Sequence, residues 1–462
     1  MASNKRIRLE EESPIDFDLT RRLGVHNAFA TSGYKEARLQ HANTQEGPLF
    51  FTVESQPGTF TDPSSLELLC RLTLYEVTST GTKSKVNVKA ADPDTYRGLG
   101  IPNHFAHLLW NEFRVTMGSN NLVSVDRLYH IISWIETLIG TSGNTKLVSL
   151  SGRGYVWETG TDLRTPNTDG YLDRRQFWAP NHAVDVAIPL HLDLTTMQGK
   201  LAPGMPLHVE VKRNPDSLCL FQTDDKNYKI WVEDPRLRVK QYTLADTLRL
   251  NRNNMLNERW YLPYTRTEVR DFAIGEDDTL VTKDDLWSGN APLPERVIMV
   301  MLKEKAILGD KSTHPLKFES TGFENAWLTK SGPNEVDIPF SPVDLKNGSF
   351  GLNTCYEQFL KAIGITPEDD RDIGITVSDY LESYFMVAWD LTSDLCARTH
   401  FMHKPKYGLM GLRIKLSANQ QQGANAREAM RAIVYSVYPE VLKIDEDGRC
   451  SQMVFTQDKE LN

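Results

Sequence analysis

The sequence has no apolar run near the ~20 residues that a membrane-crossing helix requires, which excludes a helical span. Its opening stretch, Met1 to Glu12, is charged where a secretory leader would be apolar, so a soluble chain that stays inside the cell when made is expected. Cysteine is scarce and scattered, at positions 70, 219, 355, 396 and 450. An odd number with wide spacing, and the placing of Cys70 and Cys219 in apolar runs, favour reduced, buried thiols over a disulfide framework. A cationic surplus is also missing: 52 Lys and Arg stand against 61 Asp and Glu, a net charge of −9. Neutralising phosphates takes a dense basic face. Only small pairs occur, Arg249 with Arg252 and Lys404 with Lys406, and these are read as solvated surface.

What is present is the composition of a globular protein, 40% hydrophobic and 24% charged. The chain of 462 residues suits two domains of roughly 200 residues each. Residues 1–46 read as an N-terminal arm with no sustained apolar period. Short strands follow. Leu49, Phe50, Phe51 and Val53 form one, and Leu66, Leu68, Cys70, Leu72 and Leu74 alternate with polar neighbours up to Val77. Period two with one apolar face marks a half-buried strand. Phe113–Met117 and Leu207–Val211 repeat the pattern, and Ile230–Tyr242 gives a long strand in which Pro235 must sit at an edge or a bulge. Val125, Leu128, Ile132, Ile135 and Ile139 recur every three or four residues before Gly140, which predicts one amphipathic helix. His104 to Trp110 reads as a shorter one.

Residues 244–257 read as a connector, after which the plan restarts. Strands are expected at Arg259–Ile274, Val297–Lys303, Ala326–Lys330, Val336–Phe340, Phe385–Leu391, Leu409–Leu416 and Ala432–Ile444. An acidic turn region is expected from Glu276 to Asp285, and a short helix from Tyr356 to Ile363, ended by Gly364. With about eight strands per half, the reading is an all-β protein with a few inserted helices: two tandem eight-stranded units at 47–243 and 258–446, then a C-terminal tail at 447–462. Periodicity alone leaves jelly rolls and immunoglobulin-like sandwiches both open.

Groups that could carry chemistry do not converge in the sequence. His104 and His107 have metal-ligand spacing but lack a third ligand nearby, and packing is favoured. His191 and Asp193 would share one strand face, without a nucleophile or glycine-rich elbow beside them. Glu276, Asp277, Asp278, Asp284 and Asp285 miss the spacing of a calcium loop. Gly140 to Lys146 lacks the Gly-Lys-Ser/Thr ending of a phosphate loop. Trp260, Tyr261 and Tyr264 could stack on bases or sugars, though a core or seam is favoured. Lys5, Arg6 and Arg8 are candidate contacts to nucleic acid or a nuclear import signal, against a solvated tail. No catalytic, cofactor-binding or metal residue is assigned.

The order of blocks resembles the major capsid proteins of Maverick/Polinton elements and adintovirus-like viruses. Thr61-Asp62-Pro63-Ser64 leads as a turn into Leu66–Val77; Ile101-Pro102-Asn103-His104-Phe105-Ala106-His107-Leu108 resembles that family's P-x-N-x-F-x-H-L block. Tyr129 to Ile139 stands where the family has a helix with two tyrosines, the second being absent here. Pro189-Leu190-His191-Leu192-Asp193-Leu194 and Gly204–Val209 resemble a pair of family strands, and Trp389-Asp390-Leu391-Thr392-Ser393-Asp394 resembles F-D-L-T-x-D with Trp for Phe. His314-Pro315-Leu316-Lys317-Phe318 departs from the family's N-P-F-x-F. The resemblance runs from about residue 48 to 445 and rests on collinear order.

The resemblance implies a double jelly roll without enzymatic activity and without cofactors. It implies homotrimeric capsomers of pseudo-hexameric outline tiling an icosahedral shell around DNA. A single jelly-roll penton protein is the implied partner, and packaged double-stranded DNA a second one through the arm. The virion is the implied location, after synthesis in host cytoplasm and with assembly there or in the nucleus. The alternative from the residues alone is a tandem β-sandwich that binds carbohydrate or a surface protein; a hydrolase would need a converging acid–base pair.

Overall fold

The computed structural model describes residues 29–40, 47–56, 58–86, 98–117, 127–158, 163, 169–178, 183–197, 199–201, 205–244, 260–287, 291–331, 336–365, 372–397, 403, 405–419, 427–444 and 450–452. The first half contributes β1 (Phe29–Arg38), β2 (Leu49–Val53), β3 (Thr59–Val77), β4 (Lys83–Lys85), β5 (Leu99–Gly100), β6 (Trp110–Met117), β7 (Ala183–Pro189), β8 (Leu207–Arg213), β9 (Phe221–Gln222) and β10 (Tyr228–Leu244). The second contributes β11 (Trp260–Ile274), β12 (Leu280–Trp287), β13 (Arg296–Lys303), β14 (Phe323–Ser331), β15 (Val336–Pro339), β16 (Met386–Asp390), β17 (Leu409–Leu416), β18 (Met430–Ile444) and β19 (Cys450–Gln452). Between strands lie α1 (Phe105–Leu108), α2 (Tyr129–Gly140), α3 (Gly143–Val148), α4 (Asp169–Gln176), α5 (Asp216–Cys219), α6 (Glu304–Ile307), α7 (Gly348–Ala362) and α8 (Val377–Glu382).

In the second half one sheet runs β11-β18-β13-β16 and the other β12-β17-β14-β15, so successive strands wind between two sheets as a jelly roll does. The first half pairs a sheet β1-β10-β3-β4, with β7 also on β3, and a sheet β2-β8-β6. All these ladders are antiparallel. The fold is therefore the double jelly roll that the order of sequence blocks implied.

Local sequence explains most elements. Phe51, Val53, Leu207, Val209 and Val211 face inward from β2 and β8 while Thr52 and His208 stay outside, the one-sided burial that alternation demands. β13 buries every residue from Arg296 to Leu302, as its continuous apolar run requires of a strand covered on both faces. Pro235 sits at a bulge: β10 is hydrogen-bonded on both flanks, and its register with β3 shifts between Glu233 and Arg236.

Several expectations are corrected. The segment 1–46 contains β1, an edge strand on β10 that reads as loop because nearly all its side chains are exposed or half-exposed. Thr61 to Ser64 is not a turn: β3 runs unbroken from Thr59, with an irregularity opposite Arg238 to Lys240. Pro189 to Leu194 is not a strand, since β7 ends at Pro189 and Asp193–Thr196 forms a 3-10 turn. The acidic stretch is only partly a turn: Asp284 and Asp285 lie in β12. Helix α7 starts at Gly348, two turns before its expected beginning, and α1 covers only Phe105–Leu108. Val125 and the connector fall outside the described residues, apart from Leu244 at the end of β10. β19 pairs with β18 inside the segment read as a tail.

Two hydrophobic cores form, and each recruits side chains from the other half. The second-half core includes Leu108, Ile131, Ile132, Trp134, Ile135, Leu138 and Ile139. The first-half core includes Leu262, Tyr264, Leu442 and Ile444, from paired ends of β11 and β18. The halves are intergrown.

Candidate functional site: the seam between the jelly rolls

Helix α2 forms the centre of the seam. Its apolar residues repeat at helical spacing and face the second half, while Tyr129, at its first turn, belongs to the first core. Polar groups fasten the same surface. The Tyr435 hydroxyl donates to the Glu136 carboxylate. Lys146, fully buried in α3, donates to the Leu138 carbonyl at 2.7 Å and to the Ile373 carbonyl at 2.5 Å. Burial lowers its ammonium to a pKa of about 7, against the pull of Asp372. Thr267 donates to Asp193 through its N–H at 2.9 Å and its hydroxyl at 2.7 Å. The Tyr384 hydroxyl donates to the Glu158 carbonyl at 3.2 Å. Nearby, Arg174 and Glu158 form an ion pair closed to water, and Arg174 also donates to the Ile101 carbonyl and Asn103.

The expected site residues fall out as follows. His104 and His107 stack face to face, with ring centroids 3.9 Å apart and planes 3° apart. His191 joins them, 5.4 Å from His107 and 6.5 Å from His104. Parallel stacked rings aim their nitrogens along parallel lines instead of at one point, and these nitrogens have other partners: His104 Nε2 lies 2.9 Å from Ser133 Oγ and His107 Nδ1 3.0 Å from the Tyr129 hydroxyl. Among the described residues no group of three or more His, Cys, Asp or Glu side chains is arranged to hold a metal ion. His191 and Asp193 do not work as a pair on a strand: Asp193 is engaged by Thr267, and His191 turns to the other histidines.

The Gly140–Lys146 segment ends α2 and opens α3, with Lys146 bonded to carbonyls rather than facing an open cradle. Tyr264 is buried and donates to Glu440 at 2.6 Å, whereas Tyr261 is exposed, so they do not form one stacking platform. Asp278 caps its own turn through the Gly275 N–H at 2.7 Å. Cys70, Cys219 and Cys355 are free and buried, and burial pushes the Cys70 thiol up to about 12. Lys5, Arg6 and Arg8 lie outside the described residues.

Sequence reasoning missed further groups at the seam. His130 Nδ1 accepts from the Asn214 amide at 3.1 Å, and burial brings its pKa down to about 3. His314 of the second half lies against Tyr171 and Phe221 of the first, with ring centroids 6.2 Å and 5.7 Å away, and burial lowers it likewise to about 3. A cavity of about 530 Å³ opens along the seam, lined by His191, Glu136, Thr267, Arg296 and Tyr435 among others. Beside it His403 bridges Glu295 at 3.1 Å and Asp394 at 3.0 Å. Burial alone would lower His403, but the two carboxylates outweigh it and hold its pKa above the ordinary value. No motif announces these partners, because residues far apart in sequence build the seam, Asn214 lying 84 positions from His130.

No family profile matches the sequence, and no curated protein is similar to it. Solved structures are similar in fold. A chain of the Sputnik virophage is 11% identical with a TM-score of 0.57, covering 100% of this chain and 94% of that one. The capsid of the virus PBCV-1 gives 9% identity and a TM-score of 0.55, covering 95% and 100%. The mavirus major capsid protein gives 10% identity and a TM-score of 0.52 over 100% of both chains. The chain shares with these viral proteins, end to end, the double jelly-roll fold.

Proposed function

We propose that this chain is the major capsid protein of a Maverick/Polinton-type or adintovirus-like particle. The observation that carries the reading is full-length likeness in fold to the mavirus major capsid protein, with both jelly rolls matched. Three copies, each with two similar sandwiches, give a ring with six similar flanks, and a closed threefold ring reuses one contact on every copy. Such capsomers tile an icosahedral shell around double-stranded DNA, with a single jelly-roll penton protein at the fivefold vertices. The N-terminal arm, through Lys5, Arg6 and Arg8, contacts the packaged DNA. Its place is the virion, after synthesis in host cytoplasm. No enzymatic step is assigned. The intergrown seam suits this mechanical role, because a tile must resist shear between its two halves.

Light scattering coupled to size exclusion, with negative-stain microscopy, tests the proposal. A species of three times the 52.5 kDa chain mass, or hexagonal tiles and shells, is the expected outcome. A monomer at every protein and salt concentration would overturn it and favour the carbohydrate- or protein-binding sandwich.

A further inference from the structure

We propose that the seam between the jelly rolls is an acid-released joint, in which protonation of His104, His107, His130, His191 and His314 favours parting of the two halves. Five of the chain's eleven histidines gather there: His107, His130 and His314 are buried, and His104 and His191 half-buried. Four of them come from α1, α2 and the turn after β7, where they gather beside the helix that fills the second core. The fifth approaches from the second half against aromatic rings of the first.

Their contacts fit neutral imidazoles. His130 Nδ1 accepts a hydrogen bond from the Asn214 amide, and His314 Nδ1 accepts one from the Leu316 N–H at 3.1 Å, so in each ring that nitrogen carries no proton. The stacked pair His104 and His107 would place two like charges against each other if both were protonated. The surroundings give little compensation. Arg153 faces His107 and His191, while Arg174 and Lys317 face His314. Among the described residues the carboxylate that favours a charge here is Glu136, beside His191, and it already receives the Tyr435 hydroxyl. His104 and His130 also face one another, with the neutral groups Ser133, Tyr129, Trp134 and Asn214 around the cluster, and the Trp110 backbone bond to His130 is outweighed by burial.

The sign follows from linkage. Burial holds all five histidines below their unfolded value of 6.5. Their support for the closed seam is complete above that value and is lost as pH falls from it toward the folded values. Each such group multiplies the opening constant by up to about tenfold per pH unit. Opposing groups are fewer. His403 is raised by Asp394 and Glu295, and supports the closed state as pH falls through its own value toward 6.5. Burial raises Glu295 and Asp216, which favour the closed state at acid pH. The cavity lined by His191 gives protons a way in.

The test uses the full-length chain before assembly, so its outcome does not depend on whether the protein builds capsids. Urea unfolding at pH 6.5, 6.0, 5.5 and 5.0 gives the slope of the logarithm of the opening constant against pH, which counts protons taken up. Two or more protons are expected; fewer than two would overturn the proposal. His107→Gln and His314→Gln each lower that count by about one, and unchanged counts in variants that fold also overturn it. Should neither variant fold, the wild-type slope decides alone. Hydrogen exchange, corrected for intrinsic pH dependence, adds a location: α2 loses protection on acidification first, and an α2 that outlasts both sandwiches contradicts the joint.

Discussion

Arg174 and Glu158 have side chains 0% and 1% exposed, and taking two full charges out of water costs several kcal/mol each. Their mutual attraction and the added bonds to Ile101 and Asn103 offset that cost. Breaking one partner leaves the other charge buried and uncompensated. Arg174→Met is therefore expected to destabilise the fold by about 3–5 kcal/mol, and adding Glu158→Gln is expected to recover part of the loss. Urea denaturation of both single variants and the double variant checks this; strictly additive losses would show that the pair is not coupled. By contrast, the exposed pair Arg71–Asp185 on β3 and β7 is expected to contribute little, since surface pairs are screened.

At the scale of elements, β12 is held against β17 by an unusually close approach. A Cβ at Gly411 would stand 2.5 Å from the Asp284 carbonyl oxygen and 2.6 Å from that of Lys283, both backbone atoms that cannot swing aside. The β12–β17 register shifts here, between Lys283 and Trp287. Gly411→Ala is expected to cost about 1–3 kcal/mol by overpacking and to expose the β12 amides to exchange. A variant with wild-type stability and unchanged exchange in β12 would show that the strand moves away freely.

The same strand shows what a sequence can and cannot disclose. β17 and β8 are legible because one face of each is apolar and the other wet. β12 is not, since Asp284 and Asp285 read as turn residues, and they lie where the ladder with β17 is interrupted between Lys283 and Trp287. β1 escapes notice for the opposite reason: it lies on an edge with few inward side chains, so no alternation is imposed on it. At the seam, His104 and His107 stand out by spacing, but His191, His130 and His314 join through tertiary contacts. Nothing local marks Arg174 as buried; only the fold supplies its partner.

Across the whole molecule, the intergrown cores decide whether a half can stand alone. Cutting within residues 245–259 would expose Ile131, Ile132, Trp134, Ile135, Leu138 and Ile139, each now 3% exposed or less. At ~1.5–3 kcal/mol per side chain, returning them to water costs roughly 10 kcal/mol or more, as much as a typical domain's entire stability. Residues 1–244 expressed alone are expected to aggregate or to lack dispersed amide signals in NMR spectra. A well-dispersed spectrum from that fragment would mean that the second half merely covers the first.

The far ends of β11 and β18 bear on synthesis as well. Leu442 and Ile444 complete a core whose other members leave the ribosome long before them. Because long-range pairing must wait for its partner, the first sandwich stays unfinished until nearly the last strand emerges. Chains clipped or stalled short of β18 carry two open cores instead of one good one, which marks them for quality-control proteases.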